Sequence, residues 1–168
     1  SGPDTSAKHA IYDKIDFRQK GGGSYYIRGH LINDNLGGPG KWNNMTALSR
    51  TANHEHEEKV ESKVKAAFNI GAVVRYKVTA SGNQNVKKVT AADKDKFPKI
   101  ADFATALPYL EQITEAESKV PTSIACEAYT MKKKGDVWED DKKIVTDTIT
   151  FTVGDYADYE LGKLGGTV

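Results

Sequence analysis

The sequence predicts an α+β domain. Three observations carry that prediction: one long segment with helical periodicity, several short β-rich segments on both sides of it, and punctuation by glycine and polar turns. Val60, Val64 and Phe68 recur at four-residue spacing with Ala67 beside them, which predicts a helix over residues 49–68. Ser49 or Thr51 caps its start. Glu55, Glu57 and Glu58 lie toward its N-terminal half and Lys63 and Lys65 toward its end, an order that suits the helix dipole. Asn69 and Gly71 end it.

The remaining elements follow from composition and spacing. Residues 11–17 partly alternate and predict a short strand. Gly21-Gly22-Gly23-Ser24 reads as a hairpin turn or flexible loop, and residues 25–32 are β-prone at both ends. Residues 33–40, rich in Asn, Asp and Gly, are a loop. Residues 72–79 predict a strand, broken at Ser81-Gly82-Asn83, with residues 86–90 as its pairing partner. Ile100, Phe103, Leu107, Leu110 and Ile113 predict helix, divided in two by Pro108. Residues 124–131 and 144–153 are β-rich and joined by the turn signal Lys132-Lys133-Lys134-Gly135-Asp136. The tail from Gly154 has little pattern.

Composition narrows the function. The length of 168 residues suits one domain. Ser1-Gly2-Pro3 reads as the scar of a removed purification tag, which leaves residues 4–168 as a single domain cut from a longer protein. Lys+Arg is 24 and Asp+Glu 23, so a strongly basic coat is excluded and a local basic cleft is not. Cys126 is the single cysteine, which excludes an intramolecular disulfide and a Cys-rich zinc framework. No apolar run approaches the roughly 20 residues of a membrane helix, so no membrane partner is expected.

The chemistry concentrates in residues 25–61. Arg28-Gly29-His30 sets a histidine beside an arginine, a general base beside an anion clamp. Asn53 and Glu61 offer hard oxygen ligands that suit Mg²⁺, which keeps most of its own waters. Together these groups make a kit for cutting a phosphodiester. Asn53, Glu57 and Glu61 are spaced by four and form one ridge on the helix. The eight residues from Asn53 to Glu61 span roughly 12 Å, too far for both to touch one ion directly. Helical side chains lean toward the N-terminus, so Glu61 would reach a water on the metal and not the metal itself. Glu57, one turn nearer Asn53, is the second choice of carboxylate.

At these residues the sequence resembles the DNA/RNA non-specific endonucleases, a branch of the ββα-metal (His-Me finger) nucleases. Their motif is D-R-G-H on a strand, a downstream Asn, a second Asn nine residues on and a Glu eight further. Arg28-Gly29-His30 matches R-G-H, Asn44 and Asn53 are nine apart, and Asn53 and Glu61 are eight apart. The overlap covers residues 25–68, with a weaker echo at Val120-Pro121-Thr122. The resemblance implies a ββα-metal core with a mainly antiparallel sheet and additional helices. It implies hydrolysis of DNA or RNA with Mg²⁺ or Mn²⁺, with His30 as general base and Arg28 on the phosphate. Asn53 would be the direct metal ligand, Glu61 would hold the hydration shell, and Asn44 would support the geometry around His30.

The loop after His30, ending Gly37-Gly38-Pro39-Gly40, is similar to a divergent subgroup at the C-termini of bacterial effector and polymorphic-toxin proteins. That implies a secreted or injected toxin acting in the target-cell cytoplasm, with an immunity protein or a secretion apparatus as partner. The chain also departs from the motif. Ile27 stands where the motif has Asp, the sequence does not show whether another carboxylate such as Asp34 replaces it, and Arg18 is the one counterpart offered for a second phosphate-binding arginine. These departures support an alternative, a catalytically silent nuclease-like module that binds protein.

Each candidate has a structural reading as well. Arg28 pairs with Asp34 or a helix acid, Asn53 serves the helix start, and Glu61 pairs with Lys65. His54 and His56 point about 200° apart on a helix, which argues against a zinc pair. Trp42 packs, Lys132–Lys134 form a solvated hairpin tip, and Cys126 is a buried thiol.

Overall fold

The computed structural model describes residues 11–153 and 156–162, and the backbone but not the side chain of Trp42. The expected tag scar at residues 1–3 lies outside the described residues.

The centre of the molecule is a hairpin feeding a helix. Strand β3 (Tyr26–His30) pairs antiparallel with β4 (Met45–Ser49), in a register that sets Tyr26 opposite Ser49 and His30 opposite Met45. The chain passes from β4 straight into helix α2 (Arg50–His56). Ser49 keeps an extended backbone, and its hydroxyl accepts the Ala52 N–H at 3.1 Å, so one residue ends the strand and caps the helix. A π segment, Glu57–Glu61, follows, and helix α3 (Ser62–Asn69) completes the rod. Within the π segment the Ser62 N–H reaches back five residues to the Glu57 carbonyl. Gly71 (φ +83°) ends the rod in the left-handed conformation.

A three-stranded antiparallel sheet, β5 (Val74–Ser81), β6 (Ser123–Lys134) and β7 (Val137–Thr150), covers the rod's other side. Val60 and Val64 pack on Ile124, Cys126, Ala128 and Val145 of that sheet, and on Leu48 and Ile27 of the hairpin. Each buried valine contributes about 1.5–3 kcal/mol. The rod is thus clamped from both faces, and this fixes the polar side chains at its edge.

Two further cores support the unit. Helix α1 (Tyr12–Ile15) lies on α4 (Phe103–Glu117), with Tyr12, Ile15, Tyr26, Ala116 and Val120 buried between them and the hairpin. Strand β1 (Arg18–Lys20) pairs with β2 (Gly23–Ser24) and β8 (Glu160–Leu161), both antiparallel. The turn between β1 and β2 carries Gly21 and Gly22 at positive φ, the hairpin expected there.

The sequence expectations are met for the α+β class, for β3, for the helix over residues 49–68 and for the β6–β7 hairpin. Four differ. Residues 12–15 are helical, because Tyr12 and Ile15 sit three apart and bury the same helical face against α4. Residues 86–90 form no strand, and β5 pairs only with β6 among the described residues. There the buried Gln84 side chain donates to the Pro121 and Phe151 carbonyls and accepts from Val153 N–H, anchoring the segment by side chain and not by a ladder. Pro108 divides nothing, since α4 runs unbroken from its Asp102 cap. Pro108 lies inside α4, in its second turn, and the burial of Leu110 and Ile113 carries the helix past it. The last difference is β4, in a stretch for which the sequence reading predicts no element before the helix at residue 49.

Candidate active site

His30 ends β3, and its ring is partly buried, 23% exposed. Its Nε2 is enclosed and makes no aligned hydrogen bond, with Asp34 Oδ1 at 3.4 Å. Asp34 opens a 3-10 turn (Asp34–Leu36). Asn33 caps that turn through Oδ1, which accepts the Asn35 N–H at 3.0 Å, and Gly37 closes it at φ +80°.

Asn44 shapes the loop around this turn. Its Nδ2 donates to the Ile32 carbonyl (2.8 Å) and the Pro39 carbonyl (3.0 Å), and its Oδ1 accepts the Ile32 N–H (3.0 Å). The side chain is buried, so each bond replaces one to water. Gly38 allows this closure, since a Cβ there would stand 1.9 Å from the Ile32 carbonyl oxygen.

Asn53 lies one turn into the rod, and its Oδ1 faces Gly29, the residue before His30. Glu61 is buried, 5% exposed. Its Oε2 accepts from Asn33 Nδ2 at 3.4 Å and lies 3.9 Å from Lys65 Nζ. Burial pushes the Glu61 carboxyl above the usual carboxylate range, against the pull of Lys65, Asn33 and the charge of His30. Glu57 is different: its side chain is 56% exposed and its ion-pair partner among the described residues is Lys65, at 3.7 Å. The single ridge expected of Asn53, Glu57 and Glu61 is broken by the π segment, because a wider turn changes the direction that four-residue spacing implies. Glu61 is turned inward and Glu57 to solvent.

Arg28 lies elsewhere. Its Nη2 donates to Asp16 Oδ2 at 3.1 Å and its guanidinium covers the Tyr12 ring at 5.1 Å. Among the described residues no contact joins it to His30, Asn53 or Glu61. Its partner is Asp16, where the sequence offered Asp34 or a helix acid. Arg18 is fully buried, donates to Glu117 at 2.6 Å and lies between the rings of Tyr25 and Tyr159 at 4.0 Å from each. A side chain so enclosed ties α4 and the tail to β1 and does not face a phosphate. His54 is exposed beside Glu58, whereas His56 is buried with Nε2 2.9 Å from Tyr76 Oη, so the two share no metal. Cys126 is buried, and burial pushes its thiol up to about 11. Sequence reasoning missed Asn33; its signal was the Asn-Asp-Asn run, a pattern that caps its own turn.

The oxygens of Asn53 and Glu61 are hard donors, and Glu61 has given up water for an enclosed position, a group that gains from a cation nearby. Among the described residues no three His, Cys, Asp or Glu side chains form a ligand cage. This donor set fits a cation that retains most of its hydration, as Mg²⁺ does.

The hairpin and the rod thus carry His30 and Glu61 on either side of the Asn33–Asp34 turn, with Asn53 against Gly29. A family model described as DNA/RNA non-specific endonuclease matches residues 3–94, more than half the chain, and the chain belongs to that family. The match spans the hairpin, the loop and the whole rod. It makes nucleic acid the substrate class and hydrolytic nuclease chemistry the reaction class. No curated protein and no solved structure matches the chain.

Proposed function

We propose that the domain is a divalent-metal-dependent endonuclease that hydrolyses DNA or RNA phosphodiesters with His30 as general base. The observation that supports it best is the seam itself: Asn33 bonds Glu61, its neighbour Asp34 lies at His30, and Asn53 faces Gly29. These contacts support a reading in which His30, Asn53 and Glu61 act together along the edge of the rod.

His30 would take a proton from a water whose oxygen then bonds to phosphorus, while the leaving oxygen departs with its electron pair and gains a proton from solvent. Asn53 and Glu61 would hold a Mg²⁺ or Mn²⁺ ion, Asn53 directly and Glu61 through its waters. A bound divalent cation supplies Lewis-acid stabilisation of charge on the phosphoryl group. Arg28 would contact phosphate only by leaving Asp16. That exposed pair is worth about 0–1 kcal/mol, so a phosphate competes with it readily. The partial exposure of His30 among polar groups favours this reading over a silent module. We extend the proposal to a bacterial effector or toxin setting, with an immunity protein as partner, on the form of the loop after His30.

Nicking of supercoiled plasmid tests the reading. Cleavage is expected in Mg²⁺ or Mn²⁺, lost in EDTA and lost in His30→Ala. A folded protein that leaves plasmid and RNA intact in both metals overturns it.

A further inference from the structure

We infer that Asp34 is the positioning residue for His30: its carboxylate accepts a hydrogen bond from Nε2–H, which keeps the ring proton on Nε2 and leaves the lone pair of the imidazole on Nδ1. The inference rests on the reading of His30 as general base and adds the group that selects its tautomer.

Three observations carry it. First, His30 Nε2 is enclosed and has no aligned hydrogen-bond partner, and the carboxylate of Asp34 stands 3.4 Å from it. A buried imidazole N–H needs an acceptor, and such contacts are often long before substrate binds. Second, the Asp34 side chain is half exposed, but its backbone is fixed. It sits in a turn capped by Asn33 and closed by Gly37, and Asn44 fastens the chain on either side at Ile32 and Pro39. Third, the other carboxylate that feels His30 is engaged: Glu61 is held by Asn33 and Lys65. Residue 27 offers none, because Ile27 packs into the core against Leu48 and Val60.

The chemical consequence is direct. A carboxylate facing one imidazole nitrogen fixes which nitrogen carries the proton, holds the ring and stabilises the imidazolium once a second proton arrives. The base would then act through Nδ1, with its orientation set by a turn outside the motif strand.

Two readouts test this on the whole chain. Long-range ¹⁵N–¹H correlations of the His30 ring report which nitrogen bears hydrogen, and kcat and KM are measured on an oligonucleotide. Wild type should carry hydrogen on Nε2, and Asp34→Ala should show a mixture of tautomers. Asp34→Ala should lower kcat about tenfold to a hundredfold with KM little changed, and Asp34→Glu should recover part of the loss. Should Asp34→Ala not fold, Asp34→Asn keeps the turn and removes the charge, and a fall in kcat at constant KM is again expected. An unchanged tautomer, or a kcat equal to wild type, overturns the inference. If the wild type cuts no nucleic acid, the ring spectrum decides alone. A shifted tautomer then supports the contact while the nuclease reading fails, and an unshifted one removes both.

Discussion

The carboxamide oxygen of Asn53 lies 3.2 Å from the point where a Cβ on Gly29 would stand. Helix and strand therefore meet at a backbone, and the residue before His30 has room only for hydrogen. The same Cβ would stand 2.5 Å from Leu48 Cδ1, closer than carbon atoms approach. Gly29→Ala must displace Leu48 from the core or Asn53 from the strand. It should cost about 1–3 kcal/mol of stability. Activity should fall further than that loss explains, because the proposed metal ligand moves. Chemical denaturation read beside the Mg²⁺ dependence of cleavage separates the two. A variant with full metal affinity would show that Asn53 is not held by this contact.

Asn44 supports the site from one remove. Truncation to Ala leaves two carbonyls and one N–H of the loop without their partner. The expected cost is about 1–3 kcal/mol. The loop carrying Asn33 and Asp34 should loosen while β6 and β7 stay ordered. Hydrogen exchange checks this, with faster exchange expected in residues 32–39 and none of it in the sheet.

Glu61→Gln should make the protein more stable and less active. The folded carboxyl holds its proton more tightly than the unfolded one, because burial penalises the charge. The contribution of that proton to stability is full below the ordinary Glu value of 4.5 and is lost as pH rises through the higher folded value. At neutral pH the ionised carboxylate is a net cost, which Gln removes. A gain of about 1 kcal/mol is expected at neutral pH, vanishing in acid, together with loss of cleavage. Thermal unfolding of both proteins across pH tests the sign. A destabilised Gln variant at neutral pH would mean that Lys65 and Asn33 outweigh the burial.

Much of this was legible in the sequence, for identifiable reasons. The helix showed because Val60, Val64 and Phe68 repeat at helical spacing, and β3 because its residues are β-prone. Its start was equally legible, since Ser49 caps by side chain alone. The π segment was hidden: nothing in Glu57-Glu58-Lys59-Val60-Glu61 marks a wider turn, which depends on the two sheets gripping Val60 and Val64. That is why Glu57 and Glu61 looked equivalent and are not. Strand β4 escaped because Met45-Thr46-Ala47-Leu48-Ser49 is a strand through pairing with β3, a contact set in space. Arg28 was placed in the site by its nearness to His30, and the pleat does put residues two apart on one face, but Arg28 is drawn off by the Asp16 carboxylate and the Tyr12 ring. Its partner Asp16 directly follows α1, the segment where alternation misled.

His56 gives the molecule a second titration, away from the site. It is 1% exposed, and burial, then the charge of Lys65, pushes its imidazole below the ordinary His value of 6.5. The folded state therefore resists a proton that the unfolded chain accepts. The stability from neutral His56 is full above 6.5 and is lost as pH falls through the lower folded value. Urea unfolding should show wild type weakening through mild acid, while His56→Gln, which still offers a polar partner to Tyr76 Oη, should not share that part of the slope. Tyr76→Phe removes the partner of His56 Nε2 and should cost about 1–3 kcal/mol at neutral pH. Parallel pH profiles for wild type and His56→Gln would show that the imidazole is reached by water and that the core is looser at the π segment than its packing implies.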